Sequence, residues 1–314
     1  MIKGAHTTSR PFQRVSAAPV APPALSPRAF GGITLSMPNA LRPATIPPET
    51  LGRLGALEVR LAANSAEVRK AQKLRYTVFY EEMSATPDAQ AQLSRRDRDD
   101  FDRICDHLLV IDHDTPTPRG EPSIVGTYRL LRQEVAKHHT GFYTAGEFDI
   151  APLLERHDGL NFLELGRSCV LKPYRTKRTV ELLWHGIWSY VRSHGIDVMV
   201  GCASLEGTDP DALALPLSFL HHHARAPAEW SVSAHPHRLV RMDRMPESTI
   251  DMKAALKALP PLIKGYLRLG AYIGDGAVID AQFGTTDVLI VLPVASINQR
   301  YVDHYGVDAS RYAT

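Results

Sequence analysis

The chain has 314 residues, of which 44% are hydrophobic and 22% are charged, values typical of a globular protein that can build a sizeable core. A net charge of +2 is too small for a general nucleic-acid-binding protein, so any basic chemistry must come from local clusters. The three cysteines, Cys105, Cys169 and Cys202, form neither a disulfide framework nor a Cys-x-x-Cys metal pair, which favours a reducing, cytoplasmic location.

Residues 1–50 differ in composition from the rest of the chain. They contain nine of the 23 prolines and five Lys or Arg, but a single acid, Glu49. This stretch also lacks the apolar core of a secretory signal. We therefore predict a flexible tail over residues 1–50, an ordered domain over 51–250, and a C-terminal extension over 251–314 packed on that domain.

The predicted ordered part begins with short strands and one helix. Leu57–Ala62 alternates between apolar and polar residues, as a half-buried strand does. Ser65 is a candidate N-cap for a helix that runs to Glu82. Two apolar runs, His107–Asp112 and Ser123–Leu131, are separated by a loop rich in proline, which predicts a hairpin.

The next predicted strand, Asn161–Leu171, carries two charged residues in an apolar context. Glu164 and Arg167 are three residues apart, so a regular strand would turn them to opposite faces. Both reach one site only if a bulge lies between them, and Gly166 is the predicted position. A bulge also frees a backbone N–H that could hold a developing oxyanion. The alternative is an ordinary ion pair on a surface strand.

A basic loop follows this strand and precedes an amphipathic helix predicted over Thr179–His194. The exposed N–H groups of a helix N-terminus favour an anion, so the loop is a candidate phosphate site; a solvated charged loop is the alternative. A further apolar strand, Val198–Leu205, completes a strand–helix–strand unit with a right-handed crossover. The cations of the loop are Lys172, Arg175, Lys177 and Arg178.

Three more elements are predicted towards the C-terminus. Asp209 and Pro210 are typical of the N-cap and first residue of a helix, and His237–Met242 is a candidate strand. A helix from Pro261 to Ile273 would be amphipathic and basic, which indicates either a membrane-surface element or a helix packed on the domain. Its apolar residues are Leu262, Ile263, Tyr266 and Leu269, and its cations are Lys264 and Arg268.

Several of these stretches resemble a known family when they are taken in order. Four of them resemble the acyl-homoserine-lactone synthase branch of the Gcn5-related N-acyltransferase fold. The stretches Gly141–Ile150, Gly201–Pro210 and Leu259–Val294 extend this into a closer resemblance to the L-ornithine Nα-acyltransferases, over about residues 57–305. A tryptophan expected after Phe79 is missing, and the synthases lack the extension after Ile250, which favours the ornithine branch. The four stretches are LRYTVF (Leu74–Phe79), DDFDRICDHLLV (Asp99–Val110), VGTYRLL (Val125–Leu131) and FLELGRSCV (Phe162–Val170).

The resemblance implies an α/β (mixed α+β) fold, with a central mixed sheet flanked by helices and a C-terminal α/β extension. It further implies transfer of a 3-hydroxyacyl chain from acyl carrier protein to the α-amino group of L-ornithine. The product would be lyso-ornithine lipid, the first step of ornithine lipid biosynthesis. No bound cofactor, metal or nucleic acid is expected; the acyl-phosphopantetheine of the carrier protein is the co-substrate, and peripheral contact with the inner membrane is an additional hypothesis.

The resemblance also implies roles for individual residues. Glu164 would take the proton of the amine with Arg167 beside it, Arg75 or Arg129 would hold the ornithine carboxylate, and aspartates around Asp102 the side-chain ammonium. The substrate-binding set is Arg75, Phe79, Asp102, Asp106 and Arg129. The set for the oxyanion and phosphopantetheine is Cys169, Val170, Leu171, Arg175, Thr176, Lys177, Arg178 and Thr179.

Simpler interpretations stay open at this point. Arg129 and Asp106 could be structural ion-pair partners, Asp97–Asp102 a solvated loop, and the cysteines packing residues. The run His221–His223 is more typical of a helix end than of a metal site. For the function, the alternatives are acylation of another amine (glutamine, lysine or a homoserine-lactone precursor) or a non-catalytic protein that binds acyl carrier protein or membranes.

Overall fold

A computed structural model describes residues 49–83, 85–118 and 120–298. Within these residues, one mixed sheet of nine strands forms the centre of the fold. The predicted tail over residues 1–50 lies almost entirely outside the described residues, as does the end of the chain after residue 298. The strands are β1 (Thr50–Leu54), β2 (Leu57–Leu61), β3 (Asp106–Asp112), β4 (Ser123–Arg132), β5 (Phe162–Val170), β6 (Val198–Glu206), β7 (Leu239–Val240), β8 (Tyr272–Asp280) and β9 (Thr285–Pro293).

The strand order is β1-β2-β3-β4-β5-β6-β9-β8-β7, and β5 and β6 form the parallel pair at its centre. That pair is short, because Phe162–Glu164 pair with Val198–Val200 and the ladder then stops. Gly201 follows at the point of divergence, where a Cβ atom would lie 2.2 Å from the carbonyl oxygen of Leu165. The two strands therefore approach closely once and then separate, which opens a gap in the middle of the sheet.

Eight α-helices flank the sheet in the described part of the chain. The N-cap of the first is Asn64, whose side chain accepts from the N–H groups of Ala66 and Glu67, rather than the predicted Ser65. After Tyr76 the chain continues as a π-helical segment, Thr77–Glu82. The helices are α1 (Ser65–Tyr76), α2 (Ala89–Ser94), α3 (Gln133–Ala136), α4 (Ala151–Arg156), α5 (Lys177–Ser193), α6 (Ala214–His223), α7 (Met252–Ala258) and α8 (Pro261–Leu269).

Helix α5 connects the two parallel strands and packs on β1, β2 and β3. Thr176 caps its first turn, since the N–H of Thr179 donates to the Thr176 hydroxyl, and Gly195 beyond its end has a positive φ of 57°. Leu183 and Ile187 are buried as their spacing predicts, but Val180 is 46% exposed. The predicted strand–helix–strand unit is therefore present, with its apolar stripe beginning one turn later.

The C-terminal segment completes the sheet. β9 pairs along its whole length with β6, and β8 pairs with β9, so the segment supplies strands as well as helices. On α8, Ile263, Tyr266 and Leu269 are buried, and the Tyr266 hydroxyl lies 2.8 Å from that of Tyr128. The apolar side of α8 that suggested membrane contact therefore packs on the domain. Among the described residues, no helix combines the length and apolarity that crossing a bilayer requires.

Three predicted elements differ from the structure. The helix predicted from Pro261 to Ile273 ends at Leu269, where Gly270 takes a positive φ of 93°, and Ile273 lies in β8. Helix α6 begins at Ala214, not at Pro210, because Asp209 instead closes a turn by accepting the N–H of Asp211. The strand predicted over His237–Met242 is reduced to the two residues of β7. The predicted helix end is confirmed for His221–His223, which form the last turn of α6.

Candidate active site

A cavity of about 560 Å³ lies where β5 and β6 separate. Its walls come from both strands, from the π-helical segment, from the start of α8 and from the β8–β9 turn, so distant parts of the chain meet there. Its apolar lining residues include Val78, Phe79, Met83, Leu165, Ala203 and Leu262. Its charged lining residues are Arg129, Glu164, Arg167, Arg175, Glu206, Asp280 and Asp287.

A bulge in β5 brings Glu164 and Arg167 to this one cavity. Arg129 pairs with Gly166 and Thr127 with Cys169, so two residues of β5 oppose one residue of β4. Arg167 occupies the left-handed region at φ 49°, a conformation rare for a side chain that is not glycine. The predicted bulge is confirmed, one residue after its expected centre at Gly166. It reverses the alternation of the strand and leaves a residue outside the ladder.

Glu164 is a buried carboxylate held by the backbone. It is 5% exposed, and its two oxygens accept hydrogen bonds from the N–H groups of Tyr143 (2.9 Å) and Thr144 (2.6 Å). Burial raises its pKa, and the hydrogen bonds from Thr144 and Tyr143 offset this only in part. A carboxylate with a raised pKa facing a cavity is suited to accepting a proton near neutral pH.

The Arg167 guanidinium lies between two aromatic rings on the cavity wall. Its carbon is 5.0 Å from the centre of the Tyr143 ring and 4.8 Å from that of Phe283. A carboxylate oxygen of Asp97 lies 3.4 Å from its Nε, and one of Asp99 lies 3.4 Å from a terminal nitrogen. The rings and acids fix the orientation of a cation that remains accessible from the cavity.

Arg75 and Asp102, both predicted to bind substrate, belong instead to a buried ion-pair network. Arg75 is fully buried and contacts Asp97 and Asp102 at 2.8 Å. Burial raises the pKa of Asp102, but the hydrogen bond and charge of Arg75 and the charge of Arg129 outweigh it and hold this pKa at about 2. Neither Arg75 nor Asp102 lines the cavity, so the structure does not bring them together with Glu164 as predicted. The Asp97–Asp102 stretch is likewise not a solvated loop, since Asp97 and Asp102 are buried.

The other predicted substrate residues divide into two groups. Arg129 and Phe79 line the cavity, and Arg129 also pairs with Asp99 at 2.6 Å. Asp106 lies elsewhere, at the start of β3, where it accepts a hydrogen bond from the Tyr190 hydroxyl. Asp106 does not line the cavity, and its hydrogen bond to Tyr190 fits the simpler interpretation of this residue as a structural partner.

The basic loop meets the cavity at Arg175, which precedes the N-cap of α5. Arg175 donates through Nε to the carbonyl of Val170 (2.9 Å) and pairs with Glu82. Lys177 is largely exposed and lies 3.6 Å from Glu181, whereas Arg178 donates to the carbonyl of Leu54. Lys172, Lys177 and Arg178 do not line the cavity, so its positively charged border consists of Arg175 next to the N-terminus of α5.

Among the predicted oxyanion donors, Leu171 is excluded by its own hydrogen bond. Its N–H donates to the carbonyl of Val125 at 2.9 Å. Cys169 and Val170 lie in register with Thr127 and Gly126 and line the cavity. The bulge at Arg167–Ser168 leaves one residue outside the β4–β5 ladder, so an N–H there is a further candidate donor.

The cysteines are packing residues. Cys169 packs with Leu74 and Val78, and burial raises the pKa of its thiol. Burial raises the pKa of Cys105 to about 12 and that of Cys202 well above its usual value. Thiols with such pKa values are protonated at neutral pH and are poor nucleophiles.

Sequence reasoning missed the contributions of the β8–β9 hairpin and of the Tyr143–Thr144 turn. Phe283 at the hairpin tip packs edge-on against Phe79 (5.6 Å between centroids) and covers Arg167. Asp280 and Asp287 flank the tip and line the cavity. Acids placed around a Gly-containing turn were the available signal, but the same pattern occurs in many exposed hairpins.

The chain is similar to known acyltransferases both in a family model and in individual relatives. Residues 74–185 match a family model described as "Acetyltransferase (GNAT) domain". An L-ornithine N(alpha)-acyltransferase of Rhizobium meliloti is 57% identical over 266 residues, which cover 85% of this chain and 90% of the relative. The enzyme of the same name from Brucella abortus is 56% identical, over 83% of this chain and 93% of the relative.

A solved structure, an N-acyl amino acid synthase from uncultured soil microbes, superposes with a TM-score of 0.43 at 11% identity, over 76% of this chain and 91% of that chain. The sequence relatives are much closer and span most of both chains. By these relatives, the chain belongs to the L-ornithine N(alpha)-acyltransferase family and contains its acetyltransferase (GNAT) domain.

Proposed function

We propose that this protein transfers an acyl chain from a thioester on acyl carrier protein to the α-amino group of L-ornithine, giving a lyso-ornithine lipid. The observation that carries the proposal is the buried Glu164 carboxylate on the wall of a cavity, next to the Arg167 bulge. Its position suits attack by an amine on a thioester bound along β5. Family membership supports the choice of ornithine over another amine.

The reaction needs one proton acceptor and no covalent enzyme intermediate. Glu164 takes a proton from the α-ammonium, which frees the nitrogen lone pair for attack on the thioester carbonyl carbon. A C–N bond forms, the C–S bond breaks, and the thiolate of the phosphopantetheine leaves. The nitrogen loses its second proton to that thiolate, so the products are an amide and a free thiol.

The bulge would stabilise the oxyanion formed during attack. Its residue outside the β4–β5 ladder can direct an N–H at the carbonyl oxygen, where an oxyanion donor is most effective. The nearby Arg167 guanidinium adds a fixed positive charge on the same wall. This role requires no movement of the backbone, because the bulge is already formed.

The donor would occupy the apolar lining and the basic border. An acyl chain can pack against Phe79, Leu165 and Leu262, all of which line the cavity. The phosphate of the phosphopantetheine fits the border formed by Arg175 next to the N-terminus of α5, where N–H groups and the helix dipole favour an anion. The thioester then lies between this border and Glu164.

Arg129 and Arg167 are the candidates for binding the ornithine carboxylate, because both line the cavity and Arg75 does not. A guanidinium binds a carboxylate through two parallel hydrogen bonds, which also orients the adjacent α-amine. A peripheral membrane contact would use exposed cations such as Arg268, since the apolar side of α8 is buried.

The test is acyl transfer by the purified protein with 3-hydroxyacyl carrier protein and a panel of amino acids, followed by mass spectrometry. We expect an ornithine amide with the wild type, a large loss of turnover with Glu164→Gln, and normal turnover with Glu134→Gln. Glu134 is a matched control because it is an exposed carboxylate that pairs with Arg132 outside the cavity. No amide with any amino acid would reject the proposed function, and an amide of another amine would reject only the substrate.

A further inference from the structure

Three carboxylates from separate parts of the chain meet beside the cavity. One oxygen each of Glu147, Asp280 and Asp287 lies within 4.8 Å of the others. Asp280 and Asp287 belong to the β8–β9 hairpin and line the cavity, and Glu147 lies directly beside them. Like charges this close repel one another, and either a bound cation or a proton on one carboxyl group relieves the repulsion.

The protein compensates these charges only weakly. Glu147 is 3% exposed, accepts a hydrogen bond from the Cys202 thiol, a weak donor, and has the Arg238 guanidinium at 3.6 Å. Burial, and then the charge of Asp287, raise the pKa of Glu147. Burial also raises the pKa of Asp287, and the charge of Asp280 adds to this, despite hydrogen bonds from hydroxyl groups.

The cluster is connected to Glu164 along one wall. Thr144 donates its N–H to Glu164, and the Cys202 thiol lies 3.9 Å from the Thr144 hydroxyl and 3.2 Å from Glu147. Both Thr144 and Cys202 line the cavity. A ligand lying along this wall therefore has a proton acceptor at one end and, at the other, the buried Glu147 and Asp287 with the half-buried Asp280.

A separate cationic group in the same cavity also points to an amino-acid ligand. The Arg167 guanidinium lines the cavity, although its Nε lies 3.4 Å from Asp97 and a terminal nitrogen lies 3.4 Å from Asp99. This guanidinium is aimed into the cavity from the bulge, on the strand that carries Glu164. The cavity thus presents a cation for a carboxylate, a base for an amine and a carboxylate cluster for a second amine.

We propose that Asp280 and Asp287 bind the side-chain ammonium of the amine substrate, with Glu147 reinforcing their charge, and so select a diamino acid over an uncharged one. The inference rests on the proposed function and adds the residues that determine its specificity. An ammonium donates three hydrogen bonds, which matches a site with several carboxylate oxygens. The hairpin that supplies these acids belongs to the C-terminal extension by which the sequence departs from the lactone synthases.

The experiment compares L-ornithine with L-norvaline, which has the same carbon chain and no side-chain amine. Steady-state kinetics with acyl carrier protein as donor give kcat/KM for each substrate with wild type, Asp280→Asn and Asp287→Asn. In Asp280→Asn the amide oxygen can still accept the N–H of Phe283, and in Asp287→Asn it can still accept the hydrogen bond from the Thr285 hydroxyl. Both variants should therefore fold. Asp275→Asn is the matched control, since Asp275 lies on the same hairpin but pairs with Arg225.

We expect the ratio of kcat/KM for ornithine to that for norvaline to fall at least ~30-fold in each cavity variant, the usual effect of removing one partner of a buried charge pair. Asp275→Asn should leave the ratio unchanged. Thermal unfolding gives an independent measurement, because loss of one of three repelling carboxylates should not lower the Tm of Asp287→Asn at neutral pH.

If the ratio of kcat/KM for ornithine to that for norvaline stays unchanged in both cavity variants, with or without an equal loss for the two substrates, the inference is overturned while ornithine acylation itself stands. Activity that a chelator abolishes and Mg²⁺ restores would also overturn it, because the cluster would then hold a metal ion. Failure of the wild type to acylate any amino acid rejects the proposed function instead, so the two failures are distinguishable.

Discussion

Substitution of Glu164 by glutamine removes the proposed base while it preserves the size of the side chain. The carboxylate accepts the N–H groups of Tyr143 and Thr144 through separate oxygens. Glutamine can accept only one of them, and its NH₂ group must face the other donor. The substitution therefore perturbs both the chemistry and the local hydrogen bonds, and the two effects must be measured separately.

The effect on stability should be small compared with that on catalysis. One buried N–H without a partner costs about 1–3 kcal/mol, and removal of a buried charge offsets part of this. Because burial raises the folded-state pKa of Glu164 above its value of 4.5 in the unfolded chain, its ionisation destabilises the native state as pH rises through that pKa. Glutamine lacks this pH-dependent loss, so the net stability change should be smallest at neutral pH.

The expected kinetic change is a 10²- to 10⁴-fold loss of kcat, the range typical of a general base. In the wild type, kcat/KM for ornithine should rise with pH through the pKa of Glu164, because only the carboxylate accepts a proton. Glu164→Gln should lose this limb of the profile, whereas Glu134→Gln should keep it. Acyl transfer measured from pH 5 to 9, with urea unfolding of each variant, provides both readouts.

A folded Glu164→Gln protein that retains turnover within about threefold of the wild type would contradict the role of Glu164 as base. A large loss of turnover with an unchanged pH profile would assign Glu164 to orientation of the amine. In that case the titrating group lies elsewhere on the reaction path.

Other predictions concern the framework of the site. Arg75→Met should lower the free energy of unfolding by about 3–5 kcal/mol in urea titration, because Asp97 and Asp102 would remain buried and unpaired; a loss below 1 kcal/mol would contradict this. Gly201→Ala should lower the free energy of unfolding by about 1–3 kcal/mol, because its Cβ would meet the Leu165 carbonyl. In α8, the Cβ of Gly265→Ala would meet nothing within 4 Å, so this variant should raise the free energy of unfolding by roughly 0.5–1 kcal/mol. If both alanine variants behave alike, the close approach of β5 and β6 is not what excludes a side chain. Because the folded-state pKa of Asp102 is lowered from 3.8 to about 2, its stabilising contribution is present above pH 3.8 and lost as pH falls through 2. In Asp102→Asn, the free energy of unfolding should depend less on pH in this acid range. An unaltered dependence would show that other acids account for the loss of stability.

The sequence determined the local elements of the fold. Alternating or continuous apolar runs located β2–β6, because the environment of each residue in a strand follows from a period of two. The odd spacing of Glu164 and Arg167 even predicted a bulge, since two polar groups cannot face one site across a regular strand. The basic loop and the start of α5 followed from the stop at Pro173 and the amphipathic run beyond it.

Only the tertiary structure decided which charges face the cavity. Arg75, Arg129 and Arg167 are equivalent by residue type, yet Arg75 is buried between Asp97 and Asp102 while the other two line the cavity. The physical reason is that ion pairing depends on which strands lie side by side, and this is fixed by contacts between distant segments.

The β8–β9 hairpin illustrates the same limit. Its sequence predicts a turn with acids at both ends, but β9 joins β6 only when the core assembles, and this places Asp280 and Asp287 on the cavity that contains Glu164. Local sequence therefore specified the strands and the bulge. Long-range packing specified the electrostatics of the site, because the energy of a buried charge depends on every group packed around it.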